Sequence, residues 1–275
     1  MSGQIRFSVD PKLHYSADPE QRRTYGLTLE APWEDGGRLL INFPEHLEYN
    51  PGTKGIARHH DDRPNVWQIT EDGTRADYQV ESLSEPGVFI KAAGRAAGEQ
   101  AFFTMTLTNT TSSARRSIRP MLCHDYSGLA GFSPANSDNF SRTYVLVDGQ
   151  LRSLEELAVQ RPEAKARMAQ VGGCPDHHNW WAEEMGGLLE TPLDIALTAV
   201  TGSDRRKLVL FWNPGKNLLS NKAIPCIHAD PYFGDLQPKS TLVAHGVLVF
   251  TRRPLAALAA EFAEQATRPW QHSPR

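Results

Sequence analysis

Apolar residues in this chain come in short runs broken by turn residues, and that pattern constrains the fold more than any single motif. Candidate strands fall at Ile5–Val9, Tyr25–Leu29, Arg38–Phe43, Val66–Ile69, Tyr78–Val80 and Val88–Ala92. More follow at Phe102–Asn109, Ser117–Leu122, Thr143–Val147, Leu193–Val200, Leu208–Trp212 and Thr241–Thr251. Phe103, Met105 and Leu107 alternate with Thr104, Thr106 and Thr108, so one face of that strand is apolar and the other polar. The 21 Gly and 19 Pro fall largely between such runs, and Glu71-Asp72-Gly73-Thr74 reads as a tight turn. The pattern predicts an all-β fold, an antiparallel β-sandwich of up to supersandwich size. No Pro/Ser-rich linker divides the 275 residues, and sandwiches of ~200–250 residues form single domains, so one domain over 1–275 is expected.

Two segments depart from the strand pattern. Ser153-Leu154-Glu155-Glu156 fits a capping box, and Pro162 can open a second helical piece ending near Gly172-Gly173. A helical insertion over about 153–171 is therefore expected. After Pro254, the residues Leu255, Leu258, Ala259, Phe262 and Ala266 share one helical face, which predicts an amphipathic C-terminal helix over about 254–267.

Lys and Arg number 29 against 32 Asp and Glu, so no global basic field attracts nucleic acid, and no nucleic-acid partner is expected. No run approaches the ~18 apolar residues of a membrane helix, and the N-terminal residues lack the apolar stretch of a signal peptide. Three Cys do not make a disulfide framework. Reduced thiols in the cytoplasm are the expectation, and the oligomeric state stays open.

The chemistry-bearing residues cluster. Each Cys has His nearby: Cys123 with His124, Cys174 with His177 and His178, Cys226 with His228. The segment 225–238 is densest, with Cys226, His228, Asp230, Tyr232 and Asp235 between three prolines. If it is extended, Cys226, His228 and Asp230 share a face. His228 and Asp230, with His124, are candidate acid–base catalysts; as structural residues they would instead cap backbone groups. Trp180 and Trp181, with Tyr232 and Asp235, are candidate substrate-binding residues, because indole offers a flat apolar face with a polar edge. Arg58-His59-His60-Asp61-Asp62-Arg63 reads as a solvated charged loop.

No His-Glu-x-x-His, paired Cys-x-x-Cys, Gly-x-Ser-x-Gly or phosphate-binding Gly-rich loop occurs, and no nucleotide cofactor is expected. A metal site built from distant positions remains open, with His124, His177, His178 and His228 as candidate ligands for a divalent zinc, manganese or iron. One internal similarity stands out. Phe102…Asn109 followed by Pro120-Met121-Leu122-Cys123-His124-Asp125-Tyr126 parallels Phe211-Trp212-Asn213 followed by Pro225-Cys226-Ile227-His228-Ala229-Asp230-Pro231-Tyr232. Coincidence and an old duplication both account for it.

Through Cys226, His228, Asp230, Pro231, Phe233, Asp235, Leu236 and Pro238, the last quarter of the chain resembles uncharacterised bacterial β-sandwich proteins with a C-x-H-x-D-P loop. That resemblance carries no activity, and no motif ties the chain to the mutarotase-like sandwiches. By analogy of architecture with sugar-handling sandwiches, the first reading is an enzyme acting on a carbohydrate or polyol-like small molecule. It would work by His/Asp acid–base chemistry, as lyase, epimerase or hydrolase, with or without a metal. The alternatives are a non-catalytic carbohydrate-binding or scaffold protein and a metal-dependent oxygenase.

Overall fold

The computed structural model describes residues 3–14, 16–18, 22–48, 64–82, 86–132, 139–172 and 186–267. In chain order the first strands are β1 (Arg6–Ser8), β2 (Gly26–Glu30), β3 (Arg38–Glu48), β4 (Gln68–Ile69), β5 (Arg75–Glu81) and β6 (Val88–Ala97). Next come β7 (Gln100–Asn109), β8 (Arg115–Asp125), β9 (Thr143–Val147), β10 (Gln150–Ser153), β11 (Ala166–Gln170) and β12 (Gly186–Leu188). The last are β13 (Leu197–Thr201), β14 (Lys207–Asn213), β15 (Gly215–Asn221), β16 (Cys226–Pro231), β17 (Gly234–Leu236) and β18 (Thr241–Thr251). Two short helices, α1 (Pro11–His14) and α2 (Asn139–Arg142), and a longer one, α3 (Leu255–Ala266), complete the described elements.

The strands form two sheets of nine. The first runs β1-β2-β3-β8-β16-β15-β11-β12, with β17 added to β8; the second runs β10-β9-β13-β14-β18-β7-β6-β5-β4. Among the described strands every pairing is antiparallel except that of β11 with β12, and an isolated parallel bridge joins Val171 to Leu193.

Alternation along the strands decides which residues fill the space between the sheets. In β14, Leu208, Leu210 and Trp212 enter the main core, while Val209 and Phe211 face the other way; in β18, Leu248 and Phe250 face in, while Val247 and Val249 face out. The first sheet supplies Leu27, Leu29, Ile41, Leu122 and Ile227 to the same core. Phe43 joins the layers, its ring 5.3 Å from Phe103 and 5.8 Å from Trp212.

The outward apolar stripe of the second sheet would be left wet without a cover, and α3 provides it. Leu258 and Phe262 close over Leu197, Val209, Phe211 and Val249, and the Phe262 ring stacks on Phe211 at 4.9 Å. The expected helix thus forms where the apolar face required it.

The expected insertion is much less helical than its sequence suggests. Leu154–Glu156 is a single 3₁₀ turn, with the Ser153 N–H donating to the Glu156 carboxylate at 3.2 Å as in the capping box. The piece beyond Pro162 is strand β11, not helix. Its backbone groups pair with β15 from Ala166↔Asn221 to Gln170↔Asn217, so an open sheet edge outweighs local propensity. The segment 225–238, punctuated by three prolines, likewise holds two strands, β16 and β17.

Candidate functional site

β16 lies near the centre of the first sheet, between β8 and β15. Its register with β8 is Cys226↔Asp125, Ile227↔His124 and His228↔Cys123. Partners across a ladder share a face, so Cys123, Asp125, Cys226 and His228 all stand on the outer face of the sheet. The extended geometry that would align Cys226 with His228 is present.

On that face the groups are close. Cys123 Sγ is 2.9 Å from Cys226 Sγ, and Cys226 Sγ is 3.2 Å from His228 Nε2. On the other side of the ring, His228 Nδ1 stands 4.0 Å from Asp230 Oδ1. That carboxylate oxygen accepts the Leu122 N–H at 2.8 Å, which locks Asp230 against β8. Cys226, His228 and Asp230 are buried, whereas Cys123 and Asp125 are partly exposed. Burial, with the nearby imidazoles of His124 and His46, lowers His228 to about 3, so its ring is neutral near pH 7. The hydrogen bond with Cys226, then burial, and then the charges of Cys226, Glu45 and Asp125 push the Cys123 thiol up.

His124 falls on the opposite face. Its cross-strand partners Ile41 and Ile227 belong to the core, and its Nδ1 lies 3.1 Å from the Leu122 carbonyl. Burial lowers it to about 4. It is thus a neutral core imidazole bonded to backbone, separated from His228 by the plane of the sheet, and the grouping of His124 with His228 as joint catalysts or ligands does not form.

β3 brings two groups to the site that the sequence did not mark. Four residue steps along β3, from Asn42 to His46, answer to only two along β8, from Cys123 to Met121. The bulge around Pro44 re-aims the strand. Glu45 within it is half-buried, and burial raises its carboxyl to about 7 even though Arg23 pulls the other way. Its charge is felt at Cys123, and that of His46 at His228. The sequence signal was Pro44 inside an otherwise apolar run, since Pro within a sheet marks a bulge.

The other expected residues are placed as follows. Tyr232 follows β16 directly, its ring under the buried Lys216 ammonium at 5.5 Å. The Asp235 carboxylate accepts the Ser117 N–H at 2.9 Å, bracing the start of β8 where Ser117 has φ +53. From Ser117 to Cys123 is about 20 Å of strand, so Asp235 stands apart from the cluster. His177, His178, Trp180 and Trp181, with Cys174, lie outside the described residues, as does the 58–63 cluster.

The outer face also holds buried polar atoms without hydrogen-bond partners among the described residues: Asn42 Oδ1, Asn217 Oδ1 and His228 Nδ1. Asn42 pairs with Cys123, and Asn217 shares a face with Leu219, the partner of His228. Buried atoms of this kind are few in native proteins and call for a water, ion or ligand.

No protein-family model matches the sequence, and no curated protein is significantly similar to it. Among solved structures, a galactose mutarotase related enzyme from Lactobacillus acidophilus is similar at TM-score 0.45 and 7% identity, over 83% of this chain and 95% of that one. A galactose mutarotase-like protein from Clostridium acetobutylicum is similar at TM-score 0.44 and 10% identity, over 90% of this chain and 98% of that one. An aldose epimerase homologue from C. elegans is similar at TM-score 0.40 and 13% identity, over 82% and 91% respectively. Likeness of this degree assigns neither ancestry nor activity. Among the described residues no helix is long and apolar enough to cross a membrane.

Proposed function

We propose that this protein is an isomerase-type enzyme acting on a sugar or similar polyhydroxylated small molecule by acid–base chemistry. The reaction would run on the outer face of the first sheet. The observation that carries the reading is Glu45, a carboxyl held at about 7, together with the buried amide oxygens of Asn42 and Asn217 that lack partners among the described residues. A general acid–base catalyst works best when its pKa lies near the working pH, and a ligand rich in hydroxyls supplies both donors and acceptors to such groups.

The simplest chemistry is anomer interconversion. Glu45 as carboxylate takes the proton of the anomeric hydroxyl. The bond from the anomeric carbon to the ring oxygen breaks, its electron pair going to that oxygen, which takes a proton from a second group. His46, next along β3, would supply it as imidazolium. Rotation about the adjacent carbon–carbon bond and reclosure reverse both transfers, so no net proton is consumed. Asn42 and Asn217 would hold hydroxyl groups.

Polarimetry on freshly dissolved single anomers of reducing sugars tests this. Glu45→Gln should slow catalysed interconversion by ~10²–10⁴-fold. The acid limb of kcat/KM near pH 7 should vanish with it, while circular dichroism stays native. Sugars that bind without changing anomer would replace the enzyme with a binding module, and no binding across the panel would end the sugar reading.

A further inference from the structure

The Cys123–Cys226–His228 cluster has no place in the acid–base chemistry above. Among the described residues, its three ligand atoms are the group lying within 4.8 Å of one another. They come from two neighbouring strands of a sheet interior, so backbone hydrogen bonds fix their spacing rather than loop conformation. We propose that these three residues form a zinc site with two thiolates, one imidazole and an open fourth position.

Three observations support it. First, the donor set is right: two Cys sulfurs and one His nitrogen are soft to borderline ligands that suit zinc and disfavour manganese. It also lacks the two imidazoles and carboxylate of non-haem iron oxygenases. Second, the sulfurs already face each other at 2.9 Å, between a disulfide bond of ~2.05 Å and the spacing of two zinc thiolates. Two thiolates on one tetrahedral zinc, each ~2.3 Å from it, stand about 3.8 Å apart. A small side-chain rotation of the partly exposed Cys123 opens that space. Third, the ring is oriented as a metal ligand would be. His228 turns Nε2 toward the sulfur, while the buried Nδ1 lacks a hydrogen-bond partner and faces Asp230 at 4.0 Å. A carboxylate hydrogen-bonded to the non-ligating nitrogen fixes the tautomer and raises ligand basicity in zinc sites, and a closure of about 1 Å on metal binding would bring Asp230 into that role.

On binding, each thiol gives its proton to solvent and the imidazole binds neutral. The fourth position would be filled by water or by an oxygen of a bound small molecule. The three ligand groups are themselves buried, and Asp125, next on the same face of β8, is partly exposed.

The test uses the full chain without a His-tag, kept reduced, stripped with a chelator and then titrated with Zn²⁺ or Co²⁺. One metal per chain is expected, with thiolate-to-cobalt charge-transfer absorption in the near ultraviolet. Cys123→Ser, at the partly exposed position, should remove most of that absorption and weaken zinc at least 100-fold while the far-ultraviolet circular dichroism stays native. Asp230→Asn should weaken zinc by ~10–100-fold. If Cys226→Ser does not fold, the Cys123 and Asp230 variants decide. Sub-stoichiometric metal, cobalt absorption unchanged by Cys123→Ser, or a Cys123–Cys226 disulfide that persists in reductant would each overturn the site. Metal content and sugar interconversion are separate readouts, so either proposal can fail while the other stands.

Discussion

At Glu45, burial raises the carboxyl from 4.5 to about 7, so the folded state holds a proton that the unfolded chain has released. The stability this contributes is present below about 4.5 and is lost as pH rises through 7. His124 and His228 act in the opposite sense. Burial lowers them from 6.5 to about 4 and about 3, so their contribution is complete above 6.5 and is lost as pH falls toward 3. Urea denaturation should therefore show Glu45→Gln gaining ~1–3 kcal/mol over the parent at pH 8 and little at pH 4. An equal difference at both values would mean that Glu45 is not held protonated by the fold. The sequence showed part of this arrangement of side chains. Cys226, His228 and Asp230 were legible because alternate residues of an extended chain share a face. Glu45 was not, because nothing local to it records burial, which comes from distant strands. His124 was misgrouped with His228 because adjacency in sequence does not reveal which face of a sheet a residue takes.

Among the elements, β14 and β18 show how closely packing is set by a missing side chain. Trp212 pairs with Gly246, and a β-carbon there would stand 2.5 Å from the indole Cε2 and 2.6 Å from Cδ2. The indole is rigid and is itself packed against Phe43. Gly246→Ala should therefore cost about 1–3 kcal/mol, read as a lowered urea midpoint with an unchanged slope. A neutral result would mean that Trp212 has room to move. Elements with strong local signals were legible: 143–147 and 241–251 are strands over the expected spans. Those decided by pairing were not. β11 carries helix-forming Ala, Arg, Met and Gln, yet the edge of β15 takes it. β16 was masked by its flanking prolines, although Pro225 and Pro231 only bound the strand.

Across the whole molecule, the two similar sequence segments occupy related places. β7 and β14 flank β18 on either side in the second sheet, and the strands that carry the Cys-His and Cys-x-His motifs, β8 and β16, pair antiparallel in the first. The two sheets finish their outer faces differently, one under α3 and the other with the Cys–His–Asp cluster. This asymmetry comes from where apolar residues fall on the outward positions. The paired β8 and β16 also have three strands beyond them on the β3 side and three on the β15 side. Such strands open only with the whole fold. In deuterium exchange, the backbone amides of Ile227 and His228 should be protected up to the global unfolding limit, while those of the edge strand Arg6–Ser8 exchange far sooner. Comparable rates at the two places would contradict this. Whatever the outer face holds is therefore mounted on the part of the chain that frays least, and a bound species leaves by its own dissociation, not by melting of the strand beneath it.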